Sequence, residues 1–175
     1  FHATLEALGR PGRIAIVGAG LVGCEFANDL LAGGHAVSLV APEAAPLPRL
    51  LPEPLGRALG EAFEEAGMEL ALEVGVTALE AAGAEVGLSL DDGSRLTADL
   101  VLVATGLRPR TALAEAAGLA VGGKGIHVDR RLAASAAGVY ALGDVACVDG
   151  VNAMYVQPLQ ASARALARTL SGTPT

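Results

Sequence analysis

Residues 13–40 read RIAIVGAGLVGCEFANDLLAGGHAVSLV, and this stretch decides the fold. Arg13 to Val17 is a short, β-branched apolar run of the kind that forms a strand buried on both faces of a parallel sheet. Val22, Phe26 and Leu30 then recur at the spacing of one helical face, and Gly33-Gly34 closes the helix. Ala36 to Val40 is a second buried-type strand. Strand, tight glycine turn, helix and strand make one βαβ unit of about 30 residues.

The turn itself, Gly18-Ala19-Gly20-Leu21-Val22-Gly23, matches G-x-G-x-x-G between a predicted strand and a predicted helix. Gly18 permits the tight turn, Gly20 lets backbone approach a pyrophosphate, and Gly23 lets the helix pack closely on the strand. Free N–H groups and the helix dipole then favour phosphate at that end. The pattern therefore predicts a dinucleotide. An acid closing the second strand would select NAD, and an Arg cluster NADP. Ala41 takes the acidic position, Glu43 follows two residues later, and no Arg occurs before Arg49, which argues against NADP. Glu43 reads equally as a ribose ligand or as a solvated loop acid. Glu25 is expected in the first helical turn, where an acid complements the dipole. Cys24 reads either as a packed small residue or as a reactive thiol at a helix N-terminus.

Outward from this unit, Pro42 to Pro54 is too broken for a regular element. Leu55, Leu59, Ala62, Phe63 and Ala66 mark an amphipathic helix closed by Gly67, and Met68 to Leu72 reads as a third strand. From Val74 to Ala98 the apolar period becomes two, with Asp91-Asp92-Gly93-Ser94 as a hairpin turn. Leu100 to Ala104 is another buried strand, ending in Thr105-Gly106. A short helix at Leu113 to Ala117 precedes the glycine-rich Gly118–Gly125 stretch. Beyond it, Ile126–Asp129 and Val139–Leu142 read as strands and Leu159–Leu170 as a helix. The expected organisation is an entry linker over 1–12, a nucleotide domain over 13–118, a linker over 119–125 and an incomplete second domain over 126–175. The fold class is α/β: a Rossmann-like parallel sheet with an antiparallel excursion, followed by part of another nucleotide-binding domain.

The 175 residues allow one ordinary domain of about 100–200 residues, and 52% hydrophobic content excludes disorder. A net charge of −7 argues against nucleic acid or anionic lipid as main partner. No apolar run approaches the ~18 residues of a membrane span, and no signal core opens the chain, which lacks a starting Met and so reads as a piece of something longer. Cys24 and Cys147 form no C-x-x-C pair, so free thiols in a reducing cytoplasm are expected. His35 and His127 read as strand-edge residues, and metal-ligand spacing is missing, so no metal is expected.

The second constellation is Val139-Tyr140-Ala141-Leu142-Gly143-Asp144, a strand run stopping at one fixed carboxylate. With Gly18–Gly23 and the Ala104-Thr105-Gly106 strand end, in this order, it resembles the pyridine-nucleotide-disulfide oxidoreductase superfamily of two-dinucleotide flavoproteins. GAGLVGCEFANDL (18–30), GLRPR (106–110), VYALGD (139–144) and YVQPLQASARAL (155–166) are similar to its rubredoxin-reducing branch. The resemblance implies FAD and NAD as cofactors, with electrons passing from NADH through FAD to rubredoxin. It implies that Gly18, Ala19, Gly20, Leu21, Val22 and Gly23 hold the NAD pyrophosphate and that Thr105 and Gly106 line the same cleft. It places Glu25 towards the stacked flavin and nicotinamide, Gly143 and Asp144 on the ribityl-phosphate portion of FAD, and Val156 against the isoalloxazine ring. No side chain is then needed as a general acid or base, because the cofactor carries the chemistry. A ferredoxin reductase, an NADH oxidase, a nitrite-reductase flavoprotein subunit and an NAD-sensing module are the alternatives. The family's first FAD-binding G-x-G-x-x-G and its redox-active Cys pair are absent from this chain. Alone it is expected to bind NAD weakly and FAD poorly, and to expose apolar surface in its last third.

Overall fold

A computed structural model describes residues 2–173. The chain forms two compact units, the first running through Gly106 and the second beginning at Leu107. This division lies ahead of the Gly118 boundary expected from composition. Residues beyond Gly106 are fastened within the second unit: Ala120 N–H donates to Ser135 Oγ at 2.9 Å, and His127 N–H to the Ala120 carbonyl at 2.9 Å.

The first unit opens with a short helix, α1 (His2–Ala7), inside the stretch expected to be a linker. Leu5 and Leu8 give it a reason to form, because both pack on the main core. There follow β1 (Arg13–Val17), α2 (Leu21–Ala32), β2 (Ala36–Ala41), α3 (Glu53–Glu65), β3 (Glu69–Leu72), β4 (Val76–Ala82), β5 (Glu85–Leu90), β6 (Arg95–Ala98) and β7 (Leu100–Val103). The parallel sheet has the order β3-β2-β1-β7, with Ile14 opposite both Val37 and Leu100. The antiparallel excursion is a separate sheet of order β4-β5-β6.

Both faces of β1 are covered, which is why its sequence does not alternate. Ile14 and Ile16 join Ala27 and Leu30 of α2 in the main core, while Ala15 packs with Leu88 and Ala98 of the antiparallel sheet. The helix faces are partly those expected: Leu30 and Phe63 are buried and Phe26 and Leu59 pack against the core, but small residues join them and Val22 and Leu55 do not. On α2 the buried residues are Gly23, Cys24, Ala27 and Leu30, and Val22 is 54% exposed. On α3 they are Gly56, Gly60 and Phe63, with Leu55 exposed. Each helix buries small residues beside one bulky one, Leu30 on α2 and Phe63 on α3.

The second unit contains α4 (Ala112–Ala116), β8 (Val121–Gly122), β9 (Gly125–Val128), a 3₁₀ turn at Gly143–Val145, β10 (Ala146–Val148) and α5 (Val156–Leu170). Its small sheet has the order β10-β9-β8, with β9 and β10 parallel. Leu166 of α5 packs with Val128, Leu132, Ala141 and Ala146. Val139–Leu142 does not form the expected strand. It makes one isolated bridge, Ala133 to Tyr140, because the chain reverses sharply at Gly138 (φ +77°) and Gly143 (φ +77°) on either side. The strand falls instead on Ala146–Val148.

Candidate functional site

In the first unit the chain leaves β1 towards α2 and β2 on one side, while β7 lies on the other. The strand order therefore reverses at β1, and the carboxyl end of such a strand is where open α/β sheets bind ligands. Gly18 to Gly23 occupies that end. The Gly18 N–H donates to the Val40 carbonyl at 2.7 Å, tying the turn to the end of β2.

The three glycines have different reasons to be glycine. Gly18 has a φ of +111°, and a Cβ there would lie 2.5 Å from the Ala104 carbonyl oxygen and 3.2 Å from the Thr105 nitrogen. A Cβ on Gly23 would sit 1.9 Å from the Gly18 carbonyl oxygen. Gly20 is otherwise: its φ of −76° suits any residue, and a Cβ would meet nothing within 4 Å. The fold requires Gly18 and Gly23. Gly20 lies open at the N-cap of α2, which has no side-chain cap, so backbone donors at the helix start are left for a ligand. A pyrophosphate fits this cradle.

The geometry also brings Thr105 and Gly106 to the turn, since the backbone from Ala104 to Thr105 is what Gly18 abuts. Both are exposed, and Gly106 has a φ of +95°. Ala19 is buried, and its carbonyl accepts the Leu47 N–H at 2.8 Å and the Cys24 thiol at 3.4 Å. Burial pushes the Cys24 thiol above its ordinary pKa, so it is a packed structural group and not a reactive one. Leu21 and Val22 are exposed at the helix start. Glu25 is exposed on α2 but lies past the first turn, which holds no acid, so the expected dipole role does not apply. Ala41 is buried at the end of β2, and the exposed Glu43 is anchored by its carbonyl, which accepts the Glu73 N–H at 3.1 Å.

In the second unit Gly143 and the start of α5 come together. A Cβ on Gly143 would lie 2.9 Å from Leu159 Cδ1, one turn into the helix. Asp144 is exposed on the 3₁₀ turn. Val156, the first residue of α5, is 66% exposed, and that helix too lacks a side-chain cap. One residue that sequence reasoning missed organises this corner. Asn152 Nδ2 donates to the Asp144 carbonyl at 2.9 Å and to the Lys124 carbonyl at 2.6 Å, while its Oδ1 is buried without a partner. An Asn in a glycine-containing loop carries no periodic signal, so only the fold reveals it. Among the described residues no cluster of His, Cys, Asp and Glu could hold a metal, and no helix is long and apolar enough to cross a membrane.

Residues 3–165 match the pyridine nucleotide-disulphide oxidoreductase family, and the chain belongs to it. Within that family it is 47% identical over 163 residues to the rubredoxin-NAD(+) reductase of Alcanivorax borkumensis, covering 93% of this chain and 42% of that protein. It is 44% identical to the nitric oxide reductase FlRd-NAD(+) reductase of Aeromonas salmonicida, with 93% and 42% covered. A ferredoxin reductase crystal structure from Rhodopseudomonas palustris matches 99% of this chain and 45% of its own, at a TM-score of 0.87 and 29% identity. The chain thus spans less than half the length of the curated relatives it matches.

Proposed function

We propose that this chain is the NAD-binding domain and the central FAD-binding part of a flavoprotein reductase that passes electrons from NADH to rubredoxin. The observation that carries the reading is Gly20, a helix-capping glycine that the fold does not need and that leaves an open cradle where a pyrophosphate would lie. The curated relatives named as rubredoxin-NAD(+) reductases, at 47% and 41% identity, support the acceptor.

In this reading Gly18 to Gly23 bind the NAD pyrophosphate through backbone N–H groups, and Thr105 and Gly106 line the same cleft. Exposed Glu43, with no Arg between it and the glycine turn, favours NAD over NADP. Glu25 borders the nicotinamide. Asp144 holds hydroxyl and phosphate groups of FAD, and the uncapped start of α5 at Val156 stabilises negative charge on the ring. The flavin supplies hydride acceptance and one-electron release; the protein orients it. The two buried, unpaired thiols support a cytoplasmic setting.

A ferredoxin-type acceptor is the second reading, favoured by the ferredoxin reductase structure. Protein purified from the full reading frame that encodes this chain, reduced with NADH and offered rubredoxin or ferredoxin, separates the two. Faster turnover with rubredoxin is expected, and faster turnover with ferredoxin would replace it.

A further inference from the structure

At the carboxyl edge of the parallel sheet, β2 and β3 stay paired after both strands have ended. Ala41 lies opposite Leu72, and beyond that pair the Val74 N–H donates to the Ala41 carbonyl at 3.2 Å and the Glu73 N–H to the Glu43 carbonyl at 3.1 Å. Two exposed acids from different loops are thereby set side by side. The same end of β2 is bonded to the glycine cradle, through the Gly18 N–H to the Val40 carbonyl at 2.7 Å and the Leu47 N–H to the Ala19 carbonyl at 2.8 Å. Glu73 thus shares a sheet edge with the open cradle at Gly20.

Glu73 is held there against its own backbone preference. Its φ of +59° is left-handed, a conformation that glycine adopts far more readily than a long acidic residue. Strain of this kind concentrates at ligand sites.

One guanidinium is brought to the same edge. The start of α3 packs on the loop that follows β2, since a Cβ on Gly56 would lie 2.8 Å from the Pro46 carbonyl oxygen and 3.1 Å from Ala45 Cβ. Arg57 is the next residue, and it is already engaged: Glu53 Oε1 accepts its Nε at 2.9 Å and its Nη2 at 2.7 Å. The Arg57 guanidinium is held more firmly protonated than usual, by the Glu53 hydrogen bond first and also by the negative charge of Glu73. Arg57 therefore answers to two carboxylates, one on its own helix and one on the loop after β3.

This arrangement bears on which dinucleotide the cleft accepts. NADP carries an extra phosphate on its adenine ribose, and a site that takes it supplies arginine near the end of the second strand. Here that strand ends in the buried Ala41, which offers no acid to a ribose hydroxyl. We infer that Glu73 determines specificity through Arg57, keeping that guanidinium from the ribose phosphate of NADP while adding its own charge to that of Glu43 against it. The inference rests on the dinucleotide reading above and adds how the phosphorylated form is excluded. Like charges at this edge penalise only that form, because the ribose hydroxyl of NAD is neutral.

The test uses protein from the full reading frame, titrated with NADH and with NADPH and followed by nucleotide fluorescence, so that binding is read rather than turnover. Wild type should bind NADH at least about tenfold more tightly than NADPH. Glu73→Gln should raise the affinity for NADPH relative to NADH about tenfold. Glu73→Gly, which suits the φ of +59° and removes the same charge, should do so as well, which covers a glutamine variant that folds poorly. Glu73→Asp keeps the charge and should keep the wild-type ratio. Adding Arg57→Gln to Glu73→Gln should abolish the gain, because the released guanidinium is what receives the phosphate. An unchanged ratio in both the glutamine and glycine variants, or a gain that survives the loss of Arg57, would overturn this role for Glu73. Equal affinities in wild type would overturn it too. A wild-type protein that binds neither nucleotide would instead overturn the dinucleotide reading itself.

Discussion

Gly23 lies so close to Gly18 that a Cβ on it would stand 1.9 Å from the Gly18 carbonyl oxygen. No side chain can be accommodated there without moving α2 away from the end of β1. Gly23→Ala should therefore destabilise the first unit by about 1–3 kcal/mol, the usual cost of overpacking. Urea denaturation measures it, and unchanged stability would mean that the helix seats differently.

Gly20→Ala should behave in the opposite way. Its backbone suits alanine and nothing lies within 4 Å of the new methyl, so stability should change by less than about 1 kcal/mol. NADH affinity should nevertheless fall at least tenfold, about 1.4 kcal/mol, because the methyl occupies the cradle. Fluorescence titration with NADH decides between this and a glycine with no ligand role.

Asp99 accepts the Arg13 N–H at 2.8 Å and pairs with the Arg13 guanidinium at 3.2 Å and that of Arg10 at 3.4 Å, with its side chain 5% exposed. The Arg13 N–H first, then its guanidinium, holds the carboxyl down at about 2. A folded pKa below the unfolded value of about 3.9 means stability that is present above about pH 4 and lost as pH falls through about 2. Asp99→Asn should lower the Tm at neutral pH, and the gap should close between about pH 4 and 2. A gap that persists unchanged in acid would rule out the carboxylate as its source.

Asn152 joins two carbonyls that lie far apart in the chain, those of Lys124 and Asp144. Asn152→Ala should cost about 1–3 kcal/mol and speed loss of flavin by loosening the Asp144 turn. Asn152→Asp, although isosteric, should be at least as damaging, because it sets an acceptor against both carbonyls. Flavin retained after gel filtration reports the effect; full retention in both variants would remove Asn152 from the site.

How much of this was legible beforehand depends on the range of the interactions. The β1-glycine turn-α2-β2 run is local in sequence, and its strands, turn and helix appear as read. Leu30 is buried and Phe26 packs on the core as the apolar periodicity expects, but Val22 is exposed, because the approach of Gly23 to Gly18 turns the helix so that Gly23, Cys24 and Ala27 also face inward. Val139–Leu142 has the composition of a strand, but a strand also needs a partner, and among the described residues of this unit only Ala133 bridges to Tyr140. The helix at His2–Ala7 owes its place to Leu5 and Leu8 on a distant core, which a reading of turn residues overlooks. Asn152 was missed for the same reason, since both of its partners are set by tertiary structure.

Under the proposed function electrons enter from NADH and pass through a flavin held in part by this chain. The direct measurement is the visible flavin absorbance of the protein from its full reading frame, followed anaerobically on adding NADH, then NADPH in a parallel sample, then oxidised rubredoxin. Bleaching should be fast with NADH and slow with NADPH, and the absorbance should recover when rubredoxin is added. Equal rates with the two nucleotides would refute the cofactor preference, and a colourless protein, or a flavin that NADH leaves unbleached, would refute the proposed function.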